Sequence, residues 1–261
     1  MHKSLQDIKV LVTRPVQQAD NLCVLIESNG GQAVRLPTID IQQPDEKEKV
    51  TQLLDDLSKF QIGIFVSRNA VQWTLSLCGD KKDQLQKLTL IATGVTTAEE
   101  LQQAGVGQPV YAKGQAKSES LLDLSDLQDS VVRNKNIIIF RGQGGRELLA
   151  STLRERGAHV EYAEVYKRVC PHYDRSIIDS IWTFDKPDII VTTSCEALQN
   201  LLDMLSSAQK EILLHKQLVT IGTRIVEMAK KIGFKEQILL ADETSDIGIL
   251  NAIKKLTGVP V

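Results

Sequence analysis

The chain has 261 residues, 42% hydrophobic and 25% charged, with a formal net charge of −2 at neutral pH. That length suits one large domain or two small ones, and that balance is ordinary for a soluble globular protein. It supplies no overall field for nucleic acid or a membrane surface, so any attraction for an acidic ligand has to be local. Cys23, Cys78, Cys170 and Cys195 show no CxxC pairing and read as reduced thiols. The opening MHKSLQDIKVLV runs straight into a strand, without a signal peptide or an apolar run of about 18 residues, and a cytoplasmic protein is expected.

The first predicted element is the apolar strand Lys9–Thr13, ended by Arg14-Pro15. A helix follows with Ala19, Leu22, Cys23 and Ile26 on one face, and Asn29-Gly30-Gly31 stops it. Ala33–Leu36 is the next strand, and Pro37–Asp45, with two prolines and no helical period, reads as a connector. Then come a helix over Lys49–Leu57, the strand Ile62–Val66, a helix opened by SRNAV, the strand Thr89–Ala92 and the helix Thr96–Ala104. Val110–Ala112 is a short strand, and Ser118 is the expected N-cap of a helix over Ser120–Leu127.

Asn136 starts a second round. A buried strand leads to an arginine-glycine turn, an amphipathic helix, Gly157, and a strand ending near Tyr166. KRVCPHYD is a second connector. A helix over Ser176–Trp182, the strand Asp188–Val191 and the helix Cys195–Leu205 follow. The strand Leu218–Ile221, a helix to Lys231, the strand Gln237–Leu240 and a helix over Asp246–Lys255 close the chain. Strand and helix alternate throughout, which predicts an α/β fold with parallel sheets.

Equivalent features recur at a near-constant offset: Arg14 and Arg141, Gly31 and Gly157, Ser67 and Ser194, Gly94 and Gly222. The chain therefore reads as two copies of one α/β unit of roughly 120 to 130 residues. Periodicity leaves two arrangements open. Either two consecutive domains divide near Arg133, or the chain leaves the first domain at Pro37 and returns near Pro171.

His2, His159, His172 and His215 are scattered, and none stands at ligand spacing from a cysteine or carboxylate, so no metal site is expected. Cys195, at a predicted helix start, reads as a packed thiol. The Arg141-Gly142-Gln143-Gly144-Gly145-Arg146-Glu147 turn lacks the third glycine of a dinucleotide fingerprint, so as a nucleotide signature it is weak. It does bring backbone N–H groups and two arginines to a helix start, which suits an anion. Arg14, Ser67-Arg68-Asn69, Thr96-Thr97, Thr193-Ser194 and Gly222-Thr223-Arg224 all fall just beyond strand carboxyl ends, where open α/β sheets bind ligands. Rich in hydroxyls and arginine and free of histidine, these edges suit a multiply charged carboxylate and do not suit a hydrolase.

In order and spacing, LVTRP at Leu11–Pro15, IFVSRNAV at Ile64–Val71, GVTTAEEL at Gly94–Leu101, the Arg141–Leu148 turn, VYKR at Val165–Arg168, TTSCEAL at Thr192–Leu198 and TIG at Thr220–Gly222 resemble the uroporphyrinogen-III synthases. The likeness spans essentially the whole chain. It implies two similar parallel-sheet α/β domains joined by a two-stranded linker, with the active site in the inter-domain cleft. Residues 1–37 with 172–261 would form one domain, 42–165 the other, and 38–41 with 166–171 the linker strands.

The implied reaction is cofactor-free and metal-free. Hydroxymethylbilane, a linear tetrapyrrole, loses its terminal hydroxyl as water, and the resulting azafulvene closes through a spiro intermediate with ring D inverted. By the same resemblance Tyr166 helps the hydroxyl leave, and a phenol with an ordinary pKa of about 10 keeps its proton at pH 7. Thr97 and Ser194 match substrate-binding positions. GTRIV, with Ile225 where the family carries a threonine, departs from the pattern. The substrate-binding set expected is Arg14, Ser67, Arg68, Asn69, Thr96, Thr97, Arg141, Gly142, Thr193, Ser194, Gly222 and Thr223. A monomer is expected, acting on a small molecule, with no nucleic acid and no membrane. Two rival readings are a non-catalytic two-domain sensor for an anionic metabolite and, on Gly142 and Gly144, a nucleotide-dependent enzyme.

Overall fold

The computed structural model of the protein describes residues 5–112 and 118–258, without the side chains of Asp80 and Ser118. His2 and the capping group expected at Ser118 therefore lie outside the described residues. The chain divides into two compact units, residues 1–40 with 169–261 and residues 41–168.

In chain order the first unit opens with β1 (Lys9–Val12), α1 (Val16–Ser28) and β2 (Gln32–Arg35), and β3 (Asp40–Gln42) follows at the boundary. The second unit contains α2 (Lys47–Asp55), β4 (Ile62–Phe65), α3 (Arg68–Cys78), α4 (Lys82–Leu85), β5 (Thr89–Ala92), α5 (Val95–Gln103) and β6 (Val110–Tyr111). It continues with α6 (Ser118–Leu122), α7 (Asp129–Val132), β7 (Asn136–Gly142), α8 (Leu148–Glu155) and β8 (His159–Val169). The chain then completes the first unit with α9 (Arg175–Ser180), β9 (Ile189–Thr192), α10 (Cys195–Met204), α11 (Ser207–Leu214), β10 (Gln217–Thr220), α12 (Thr223–Ile232), β11 (Ile238–Leu240) and α13 (Asp246–Leu256).

The α/β class with parallel sheets holds. The first sheet runs β11-β10-β9-β1-β2 and the second β3-β8-β7-β4-β5-β6. Every pairing within β11-β10-β9-β1-β2 and within β8-β7-β4-β5-β6 is parallel. Each sheet combines strands from both sequence copies, so β1 pairs with β9 and β4 with β7. The progression of the chain across each sheet reverses at that junction, the place where doubly wound sheets open a crevice.

Alternation along the buried strands decides the layers. In β7, Ile138 and Phe140 face a core shared with α2, α3 and α5, where Phe140 stacks on Phe65 at 4.3 Å. Ile137 and Ile139 face the opposite core, with α6, α7 and α8. In the first unit Val10 and Val12 pack on α1 and α13, while Leu11 packs on the α9–α12 side.

Three sequence expectations change. The helix expected over Ser120–Leu127 is a short α6 followed by a separate 3-10 turn at Ser125–Leu127. The connector Pro37–Asp45 contains β3, and β8 runs through Tyr166 to Val169, so Tyr166 belongs to a strand of the second sheet. α11 was not expected, although Ser206 and Gln209 form a capping box at its start.

Candidate active site

The carboxyl end of β7 is built around glycine. Between β7 and β8 the ladder pairs Arg141 with Glu164 and then Gly142 with Tyr166, which leaves Val165 as the extra residue of a bulge. Simple alternation would place Val165 and Tyr166 on opposite faces, but the bulge turns both into the core that also holds Ala163. The backbone of Tyr166 is fixed at the same step, because Gln143 N–H donates to its carbonyl at 2.8 Å.

From this position the Tyr166 ring lies on Gly142. A Cβ at Gly142 would stand 2.6 Å from the ring carbon Cε2 and 3.0 Å from the hydroxyl oxygen, so no side chain fits there without moving the ring. Gly142 is required for close approach, whereas Gly144 and Gly145 supply the positive φ of the turn. The Tyr166 hydroxyl reaches the segment after β4 and stands 3.2 Å from Ser67 Oγ, either atom being able to donate. Ser67 is also the N-cap of α3, its Oγ accepting from Ala70 N–H at 3.1 Å.

Arg141 is turned inward. It is 5% exposed, donates to the carbonyls of Gly142 and Gly144, pairs with Glu147 at 3.2 Å, and lies 3.7 Å from Glu164. Its guanidinium also covers the Tyr162 ring, 4.4 Å from the centroid. The arginine expected to meet a ligand thus spends its donors holding the turn that carries the glycines. Tyr162 donates to Glu147 at 2.7 Å, and that bond, helped by Arg141, holds the Glu147 carboxyl below its ordinary range. Burial, and then the same bond, push the Tyr162 phenol up.

These residues line a pocket of about 320 Å³, within the lower range of small-molecule sites. Ser67, Thr93, Gly142, Gly144, Gly145 and Tyr166 contribute to its wall, with Arg146 and Arg168 adding positive charge. Val66, Ile139 and Leu149 add an apolar side. Thr93 was not singled out from sequence, whereas Arg146 is the second arginine of the turn read as suiting an anion. Thr93 directly follows β5, the position by which the other candidates were chosen.

The remaining second-unit candidates are spread along the same edge. Arg68 pairs with Glu100 at 3.0 Å, Asn69 is half-buried and Thr96 is exposed. Thr97 is buried in the first turn of α5.

In the first unit, Ser194 caps α10 through Ala197 N–H at 2.9 Å, repeating the role of Ser67, and Thr193 beside it is half-buried. Gly222 precedes α12 in extended backbone, Thr223 and Arg224 are exposed, and Ile225 is buried where Thr97 stands in the other copy. Arg14 is paired with Asp246, which also accepts from Asn21 at 2.7 Å. Among the described residues no group of three or more His, Cys, Asp or Glu could hold a metal ion, and no helix is long and apolar enough to cross a membrane.

Open parallel sheets with helices on both faces, one with a pocket at its strand carboxyl ends, define an α/β protein of the doubly wound class. A model of the uroporphyrinogen-III synthase HemD family matches residues 20–246. The uroporphyrinogen-III synthase of Escherichia coli K12 is 29% identical over 95% of this chain and 100% of its own length. That of Proteus mirabilis is 34% identical over 75% of this chain and 98% of its own. Among solved structures, the uroporphyrinogen-III synthetase of Helicobacter pylori 26695 shares the fold at a TM-score of 0.64 and 18% identity, covering 95% of this chain and 99% of that one. A mutant uroporphyrinogen III synthase from Thermus thermophilus does so at 0.62 and 17%, covering 95% and 98%. The chain belongs to the uroporphyrinogen-III synthase family.

Proposed function

We propose that this protein is a hydro-lyase that closes hydroxymethylbilane to uroporphyrinogen III with ring D inverted, and that it works as a cytoplasmic monomer without metal or cofactor. The observation that carries the reading is the placement of Tyr166, a phenol seated on Gly142 at the wall of a pocket with an arginine-bearing rim. A pocket of this size takes one substituted pyrrole of the linear substrate rather than the whole molecule.

The chemistry asked of such a site is modest. Tyr166 gives its proton to the departing hydroxyl oxygen, the C–O bond breaks, water leaves, and an azafulvenium remains. The substituted carbon of ring D attacks it, the spiro intermediate opens and rejoins, and the proton then lost from the ring returns the Tyr166 phenolate to the phenol. Because the free substrate also closes spontaneously to the wrong isomer, the protein has to hold one conformation and stabilise charge as it develops. Backbone donors and arginine at the sheet edges suit the substrate carboxylates.

The test is a coupled assay in which hydroxymethylbilane is generated in place and the oxidised porphyrin isomers are separated. Type III product dependent on this protein supports the reading, and type I alone, from folded protein, overturns it. Tyr166→Phe is expected to slow kcat by about 10²-fold without abolishing turnover, the ordinary size of a general-acid contribution.

A further inference from the structure

We propose that Ser67 is the positioning residue for Tyr166: its hydroxyl donates to the tyrosine oxygen and so leaves the phenolic proton directed at the pocket. The inference rests on the function proposed above, in which that proton is used. Its basis is the geometry around one oxygen atom. A serine hydroxyl has one proton to give and two lone pairs. Among the described residues, Ser67 Oγ has two partners, the Ala70 N–H at 3.1 Å and the Tyr166 hydroxyl at 3.2 Å. The N–H can only donate, so the cap occupies a lone pair and leaves the serine proton for the second contact.

The opposite direction, tyrosine donating to serine, is chemically open, but it ties up the proton the reaction needs. Donation from Ser67 has two effects on catalysis. It turns the Tyr166 O–H away from the helix cap, and it supports the oxygen as negative charge grows there during proton transfer. The surroundings let this one bond set the direction. Gly142 fixes the plane of the ring by contact, and the bulge with its Gln143–Tyr166 backbone bond fixes the tyrosine Cα, so the hydroxyl rotor is the freedom that remains.

Ser194 serves as an internal control. It caps α10 with the same geometry that Ser67 uses on α3, so the cap alone does not explain the tyrosine contact. A serine kept only for capping could be replaced by glycine with little loss, since glycine is tolerated at an N-cap. A serine kept for its proton could not, because glycine has no donor to offer the tyrosine, whereas threonine retains both the cap and the hydroxyl.

The experiment compares Ser67→Gly, Ser67→Thr, Tyr166→Phe and the Ser67→Gly/Tyr166→Phe double variant. The readouts are isomer-resolved kcat and KM on hydroxymethylbilane generated in place, with thermal melts to confirm folding. Ser67→Gly is expected to lower kcat by about 10-fold with KM changed by less than about twofold, Ser67→Thr to recover most of the rate, and the double variant to be no slower than Tyr166→Phe. A Ser67→Gly enzyme with wild-type kcat, beside a slow Tyr166→Phe, overturns the positioning role and leaves the proposed function standing. A rise in KM alone overturns it as well and makes Ser67 a substrate contact, and so does a double variant whose losses multiply. A Tyr166→Phe enzyme with wild-type kcat instead overturns the acid role of Tyr166, and the positioning role with it.

Discussion

The two units repeat one strand order and treat the junction of their central strands in opposite ways. In the first unit the end of β1 is closed by its own polar groups. Thr13 donates to the Val191 carbonyl at 2.9 Å, Thr38 to the Ala197 carbonyl at 3.0 Å, and Asn200 to the Thr38 carbonyl at 2.7 Å. Arg14 is tied to Asp246 beside them. In the second unit the equivalent arginine folds into a glycine turn, Gly142 yields its side-chain space to Tyr166, and a pocket opens. The same duplicated element can thus serve as a sealed seam or as the wall of a pocket. The choice lies in a few residues beyond the strand rather than in the strand itself.

Substitutions at the two junctions should therefore fail in different ways. The largest effect is expected from Gly142→Ala. Its backbone lies outside the left-handed region, so the new Cβ strains nothing except the Tyr166 ring it would meet at 2.6 Å. Displacing the ring removes its aim and the Ser67 contact together, so kcat should fall by about 10²-fold, as for loss of the phenol itself. A variant of wild-type kcat would show that the glycine is not the seat of the tyrosine.

Thr38→Val probes the sealed junction. It removes the hydroxyl that donates to the Ala197 carbonyl, while the Thr13 carbonyl keeps the Thr38 N–H, and should cost about 1 kcal/mol in urea unfolding while leaving kcat of the folded enzyme in place. A normal stability with lost turnover would erase the contrast between the units.

The smallest effect concerns the turn. Because the folded Glu147 carboxyl is held below its ordinary value of 4.5, its bond contributes stability above that pH and loses it as pH falls through the folded value. Thermal melts of Glu147→Gln should accordingly show a shallower acid limb than wild type below about pH 4.5, and identical limbs would remove Glu147 from the account of the turn.

Much of the fold was legible because burial writes itself into spacing. The apolar face predicted for α1, Ala19, Leu22, Cys23 and Ile26, is the buried set of that helix. β7 and β9 read as apolar runs because both of their faces are covered. What stayed hidden depended on where side chains turn at strand ends. Arg141 carried the charge expected of a ligand contact, yet its carbonyl partners Gly142 and Gly144 lie within its own turn, a pairing that composition cannot reveal. Tyr166 was placed by family resemblance, but its aim comes from the bulge at Val165, and a one-residue slip leaves no mark in an apolar sequence. α11 escaped notice although its Ser206–Gln209 spacing was present to be read.

The interleaving of the two copies also bears on how the chain is made. Lys9 N–H donates to Asp188 across 179 residues, and β1 finds its neighbour β9 only when the C-terminal part has emerged. During synthesis from the N-terminus, residues 41–168 can collapse on their own sheet while KVLV still waits for its neighbour β9. Long-range closure of this kind is slow and leaves apolar strand exposed. The first unit to begin is therefore the last to finish, and a chain cut short after β8 would carry the strands of its second unit together with only the opening of its first.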